Sequence, residues 1–140
     1  MKLLGIDPGG TTGLCVTKYN RLDRPVGIHL DDLYPQLGLW VEDAHLVIME
    51  SFVATGNLTK GKIDQLRAIG AIEYKNKDAG NPPIVWITPE ERKAVKKKIK
   101  VPYVKIPKPH AQDAYLLILA YALREGLLEP NGTELDFTKR

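Results

Sequence analysis

Hydrophobic and polar positions follow two rhythms along this chain, and the rhythms mark its elements. KLLGID (2–7) is a short apolar run closed by Asp-Pro-Gly, the pattern of a buried strand. TGLCVTKY (12–19) follows after a Gly-rich link and predicts a hairpin with the first strand. PVGIHL (25–30) reads as a third strand, and HLVIMESF (45–52) as a fourth whose unbroken apolar run suits a parallel strand covered on both faces. PIVWITP (83–89) is a fifth strand, ended by Pro89. Between and after these, the period lengthens to that of helices. DDLYPQLGLWVED predicts a short helix capped by Asp31 or Asp32, with Pro35 in an early turn. KGKIDQLRAIGAIEYKNKDAG predicts a longer one, with Ile63, Leu66, Gly70 and Tyr74 on one side, Ile69 and Ile72 broadening it, and Gly80 as its stop.

PEERKAVKKK predicts a helix with proline at its first position and acids in its first turn. KVPYVKIPKP holds three prolines and predicts an extended segment. HAQDAYLLILAYALREG is apolar almost all round and predicts a buried final helix, whereas the tail from about 127 to 140 has little pattern. A strand meander followed by β-α-β-α is the order of one α/β layered domain with a mixed five-stranded sheet flanked by helices, spanning 1–140.

Composition narrows the class. Apolar residues make up 44% of 140, enough for a core and too many for a disordered chain. No run approaches the ~18 apolar residues that span a bilayer. Asp7 interrupts the apolar stretch near the start, so no secretory leader is expected. The single Cys15 has no internal disulfide partner and sits in an apolar alternation, as a buried filler would. A soluble, cytoplasmic protein away from the membrane is the expectation.

The formal charge of +3 hides an asymmetry. Arg92 to Lys108 carries eight basic residues and no acid, against 12 basic and 17 acidic elsewhere. A basic segment on a mildly acidic body points to a polyanion partner, although a solvated lysine-rich surface is the plainer alternative. Lys96, Lys97, Lys98, Lys100, Lys105 and Lys108 are the candidate phosphate contacts, with Lys60 and Lys62 after the fourth strand as further candidates.

Three acids stand at the ends of elements. Asp7 closes a central strand, and Pro8, Gly9 and Gly10 turn the chain away without placing side chains over it. Glu50 closes LVIME, where an unpaired carboxylate is costly to bury. His110 and Asp113, three apart, share one face at the start of an otherwise apolar helix. Each has a plain structural reading, respectively a turn cap, a strand reaching water, and a helix cap. Together, carboxylates with a histidine can hold two Mg²⁺ or Mn²⁺ ions, and oxygen donors suit those hard cations. Such a pair activates water against a phosphodiester. Cleavage of nucleic acid is the leading chemistry.

In order and rough spacing, GIDPG with TTG, then VIMES, then HAQDAYLLILAYAL resemble the motifs of the RuvC-type Holliday junction resolvases of the RNase H-like superfamily, over residues 1 to about 126. The resemblance implies metal-ligand roles for Asp7, Glu50 and Asp113, and a ligand or proton-transfer role for His110. It also implies a homodimer that nicks opposing strands of four-way DNA junctions, and a second metal steadying the departing 3′ oxygen would leave a 5′-phosphate. Ala68, Gly70 and Ala71 would let two copies of the long helix approach closely. The stretch before HAQDA is shorter than in many cellular members, and so compact a chain also resembles phage-encoded ones. Members of the family often carry a wedge aromatic three residues after the strand glutamate, where this chain has Val53. Phe52 is one residue early, on the opposite face of an extended chain, and a core position is the simpler reading for it.

Three rivals remain open from sequence. One is a nuclease for branched DNA generally or for RNA–DNA hybrids. Another is a non-catalytic nucleic-acid-binding module. The third is an ATP-binding protein of the actin/sugar-kinase type, whose phosphate loop GIDPGGTTG also resembles but whose second lobe 140 residues would not accommodate.

Overall fold

A computed structural model of the chain describes residues 1–52, 55–99, 109–128 and 134–139. Its strands are β1 (Leu3–Asp7), β2 (Thr11–Lys18), β3 (Arg21–Leu22), β4 (Val26–His29), β5 (Leu46–Glu50) and β6 (Ile84–Ile87). Its helices are α1 (Leu30–Val41), α2 (Lys60–Asp78), α3 (Pro89–Lys98) and α4 (Pro109–Glu125). The strands form one mixed sheet in the order β3-β2-β1-β5-β6, with β4 also paired to β2. β1 and β2 are the predicted antiparallel hairpin, while β5 and β6 run parallel to β1. The sheet has six strands instead of five because the third position is divided. β3 pairs with Thr17 and Lys18, and β4 with Thr11 to Leu14, along the same edge of β2. This α/β sheet flanked by helices has the layout expected of an RNase H-like fold.

Period-two alternation assigns each side chain to one of two cores. Leu3, Cys15, Leu46 and Ile48 face α4 and α3, and with Val95, Leu117, Ile118 and Tyr121 they form one core. Leu4, Ile6, Leu14, Val47 and Met49 face the other way and pack on Leu33 and Leu37 of α1 and Ala68 and Ile72 of α2. Cys15 is buried, as expected. No described helix is long and apolar enough to cross a membrane.

Three expectations need correction. α1 begins before Asp31, because His29 serves as the N-cap and its Nδ1 accepts a hydrogen bond from the Asp31 amide at 3.3 Å. On α2 the buried stripe is Ala68, Ile72 and Asn76, while Ile63, Leu66 and Tyr74 are exposed. The tail is tied in: Leu127 and Leu135 are buried, and the Asp136 amide donates to the Leu127 carbonyl at 2.6 Å. Leu127 and Leu135 join the core around α4, so a helix apolar all round finds cover there. The proline-rich segment between α3 and α4 lies outside the described residues.

Candidate active site

Asp7 and Glu50 come together because of strand register. Leu3, Gly5 and Asp7 share one face of β1, and Leu46, Ile48 and Glu50 share the same face of the adjacent parallel β5, with Ile6 opposite Met49. Both acids thus end their strands on the α4 side, at only 6% and 8% exposure.

Two glycines on that face let α4 lie directly on the sheet. A Cβ on Gly5 would fall 2.5 Å from the Ala114 carbonyl oxygen and 2.9 Å from Ile118 Cγ1. A Cβ on Gly13 would collide with the His110 carbonyl group. Gly13 is the register partner of Asp7, and such pairs present their substituents on one face. The first turn of α4 therefore sits over Gly13 and beside Asp7. His110 Nδ1 is 2.9 Å from Asp7 Oδ2. The turn after Asp7 is fixed by Thr12, whose buried hydroxyl donates to the Gly9 carbonyl at 3.3 Å and accepts from the Gly9 amide at 3.4 Å.

The second pair is bridged by a residue outside the expected set. Arg92, in the first turn of α3, donates from Nε to Glu50 Oε2 at 2.9 Å and from Nη2 to Glu50 Oε1 at 3.3 Å. Its Nη1 donates to Asp113 Oδ1 at 3.0 Å. The placement follows from local structure. β6 runs beside β5 with Ile87 opposite Glu50, and Thr88 caps α3 through a capping box with Glu91. The first turn of α3 is thereby held over the end of β5. The sequence marked Arg92 only as the start of the basic run. The usable signal was its position one turn into a helix that follows a strand parallel to the Glu50 strand. Asp64 of α2 approaches the turn after Asp7, its Oδ2 3.2 Å from where a Gly10 Cβ would be, but it pairs with Arg67 at 3.8 Å.

The electrostatics reflect crowding of like charge. Burial, with the nearby Asp113 and Glu50 carboxylates, pushes the Asp7 carboxyl up from 3.8 to about 6, although His110 opposes the rise. Burial would lower the Arg92 guanidinium, but Glu50, Asp113 and Asp7 outweigh it and hold Arg92 above its ordinary value. Three carboxylates and an imidazole are a donor set suited to Mg²⁺ or Mn²⁺. Among the described residues, however, no three of them already form a metal cluster. The expected single constellation is instead two neighbouring pairs, Asp7 with His110 and Glu50 with Asp113, the latter held apart from bare repulsion by Arg92.

The candidate nucleic-acid contacts are distributed differently. Lys96, Lys97 and Lys98 are exposed on the last turn of α3, and Lys60 is exposed at the start of α2. Lys62 is engaged, donating from Nζ to the carbonyls of Thr55 and of Asn57, the latter at 3.0 Å. Phe52 is half-buried just beyond β5, not in the core as its position suggested. Lys100, Lys105, Lys108 and Val53 lie outside the described residues.

Solved structures share this architecture. One titled as T. thermophilus RuvC in complex with a Holliday junction substrate superposes with a TM-score of 0.69 at 19% identity, covering 90% of this chain and 96% of that one. A second Thermus thermophilus RuvC structure gives 0.63 at 20% identity, covering 90% and 97%. The fold is therefore that of RuvC. No protein-family model matches the chain. No curated protein sequence matches it either.

Proposed function

We propose that this protein is a divalent-metal-dependent endonuclease that resolves four-way DNA junctions by paired nicks. One observation carries the reading: two acid-bearing pairs distant in sequence, Asp7 with His110 and Glu50 with Asp113 through Arg92, lie side by side at one rim of a RuvC-like sheet. Three acids facing a polyphosphate repel it unless a cation intervenes, which favours an enzyme over a passive binding module.

In this reading Asp7, Glu50 and Asp113 hold Mg²⁺ or Mn²⁺, with His110 completing the set or serving in proton transfer. A bound divalent cation supplies Lewis-acid stabilisation of the scissile phosphate and the leaving oxygen. The protein's own groups do the rest. His110 Nδ1 is engaged by Asp7 Oδ2 at 2.9 Å, which fixes the ring and leaves Nε2 as its outward nitrogen for proton transfer. Lys96, Lys97 and Lys98 supply positive charge on the same α3 that carries Arg92, for backbone phosphates. The partner is branched DNA. A second copy docks through the uncovered stripe Ile63, Leu66, Gly70 and Tyr74 of α2, which supports a homodimer.

The test is a Mg²⁺-dependent digestion panel of four-way junction, three-way junction, flap, RNA–DNA hybrid and linear duplex. Symmetric nicking of the four-way junction is expected, with Asp7→Asn reducing cleavage to background while junction binding survives. Equal cutting of every branched substrate would select a general branched-DNA nuclease. Wild-type cleavage by Asp7→Asn would overturn the site.

A further inference from the structure

We propose that Arg92 is a positioning residue that stands in for a cation, holding Glu50 and Asp113 together until a divalent ion displaces it. The inference rests on the metal reading above and concerns how that site exists without its ion. Arg92 spends three nitrogens on three carboxylate oxygens, Oε1 and Oε2 of Glu50 and Oδ1 of Asp113. Those are oxygens that a hard cation would take. The Arg92 side chain is 14% exposed and those of Glu50 and Asp113 are 11% and 27%, so this is a largely enclosed ion triad and not a loose surface pair.

Physical chemistry supplies both halves of the role. Two carboxylates brought this close and half-desolvated repel unless something positive lies between them. A guanidinium does so with fork geometry and, unlike a lysine ammonium, does not relieve the burial by losing its proton. The same permanence makes it a competitor, because a divalent ion beside the same oxygens meets a fixed like charge. Arg92 therefore keeps the apo site assembled and lowers its affinity for the ion. Asp7, which Arg92 does not contact by hydrogen bond, is the carboxylate left to His110.

Calorimetric titration with Mn²⁺ alone, alongside thermal melting in chelator, tests this on wild type, Arg92→Gln and Arg92→Lys. Arg92→Gln is expected to bind Mn²⁺ at least tenfold more tightly than wild type, yet to melt lower in chelator. Arg92→Lys keeps a charge without the fork and is expected to fall between the two. Should Arg92→Gln not fold, a gain of about threefold in Arg92→Lys carries the same test. Mn²⁺ binding that is unchanged or weaker in the folded variants overturns the role of Arg92 and leaves the metal reading standing. Mn²⁺ binding to none of the three proteins overturns the metal reading and this inference with it.

Discussion

The two faces of the sheet are packed on different terms. Toward α1 and α2, full-sized side chains such as Leu4, Ile6, Leu14 and Met49 separate helix from strand. Toward α4, Gly5 and Gly13 remove the side-chain layer at two points, and the helix backbone rests on the strands. The first arrangement tolerates variation in helix position. The second fixes the helix start to within the length of one methyl group, and His110 and Asp113 stand at that start. Precision is concentrated on the side that carries the charges.

Replacing one methyl-free contact should break that asymmetry most. Gly13→Ala drives a Cβ into the His110 carbonyl, so α4 must shift; a loss of about 3 kcal/mol and a melting point lower by roughly 10 °C are expected. Melting within a degree or two of wild type would mean that close approach does not hold the helix in place. Next in size is the charge crowding itself. The folded pKa of Asp7 lies above its unfolded value, so its contribution to stability is fully present below pH 4 and is lost as pH rises through about 6. Asp7→Asn, melted in chelator, should gain about 2 kcal/mol over wild type at pH 7.5 and little at pH 4.5. A gap that is constant with pH would contradict a raised Asp7. The smallest effect belongs to the looser face. Within one protomer a Cβ on Gly70 meets nothing within 4 Å, so Gly70→Ala in the middle of α2 should stabilise the protein by about 1 kcal/mol when it is melted at concentrations too low to dimerise. Destabilisation of the dilute protomer would contradict this open site, whereas a loss that appears only at concentrations where the protein dimerises would mark the second copy packed on the stripe.

Much of the site was legible because it depends on period and order. Two apolar strands ending in Asp7 and Glu50, and an apolar helix opening with His110 and Asp113, define a rim without further information. Arg92 was hidden because its partner Glu50 is 42 residues away, and only the pairing of β5 with β6 brings α3 over it. The face of α2 was misjudged for another reason. Its two stripes overlap, and the sheet selected small Ala68 with Ile72 over the more hydrophobic-looking Ile63, Leu66 and Tyr74. Asn76 is buried there through its donation to the Pro82 carbonyl at 2.9 Å, a contact no hydropathy pattern reports. The start of α3 was the opposite case, since Pro89 and the acids Glu90 and Glu91 announce it locally, although Thr88 as its cap emerged only in the structure.

Glu91 joins more than the helix it caps. The same carboxylate that accepts from the Thr88 amide also receives Arg124 Nε at 3.1 Å, from the last turn of α4. It works as a tie-rod between the distal end of one helix and the root of another, anchored on the protein surface. Because both side chains are partly open to water, dissolved ions weaken this link far more than they weaken the enclosed Arg92 triad. Brine should therefore slacken the mounting of α3 before it disturbs the carboxylates that the helix reaches over.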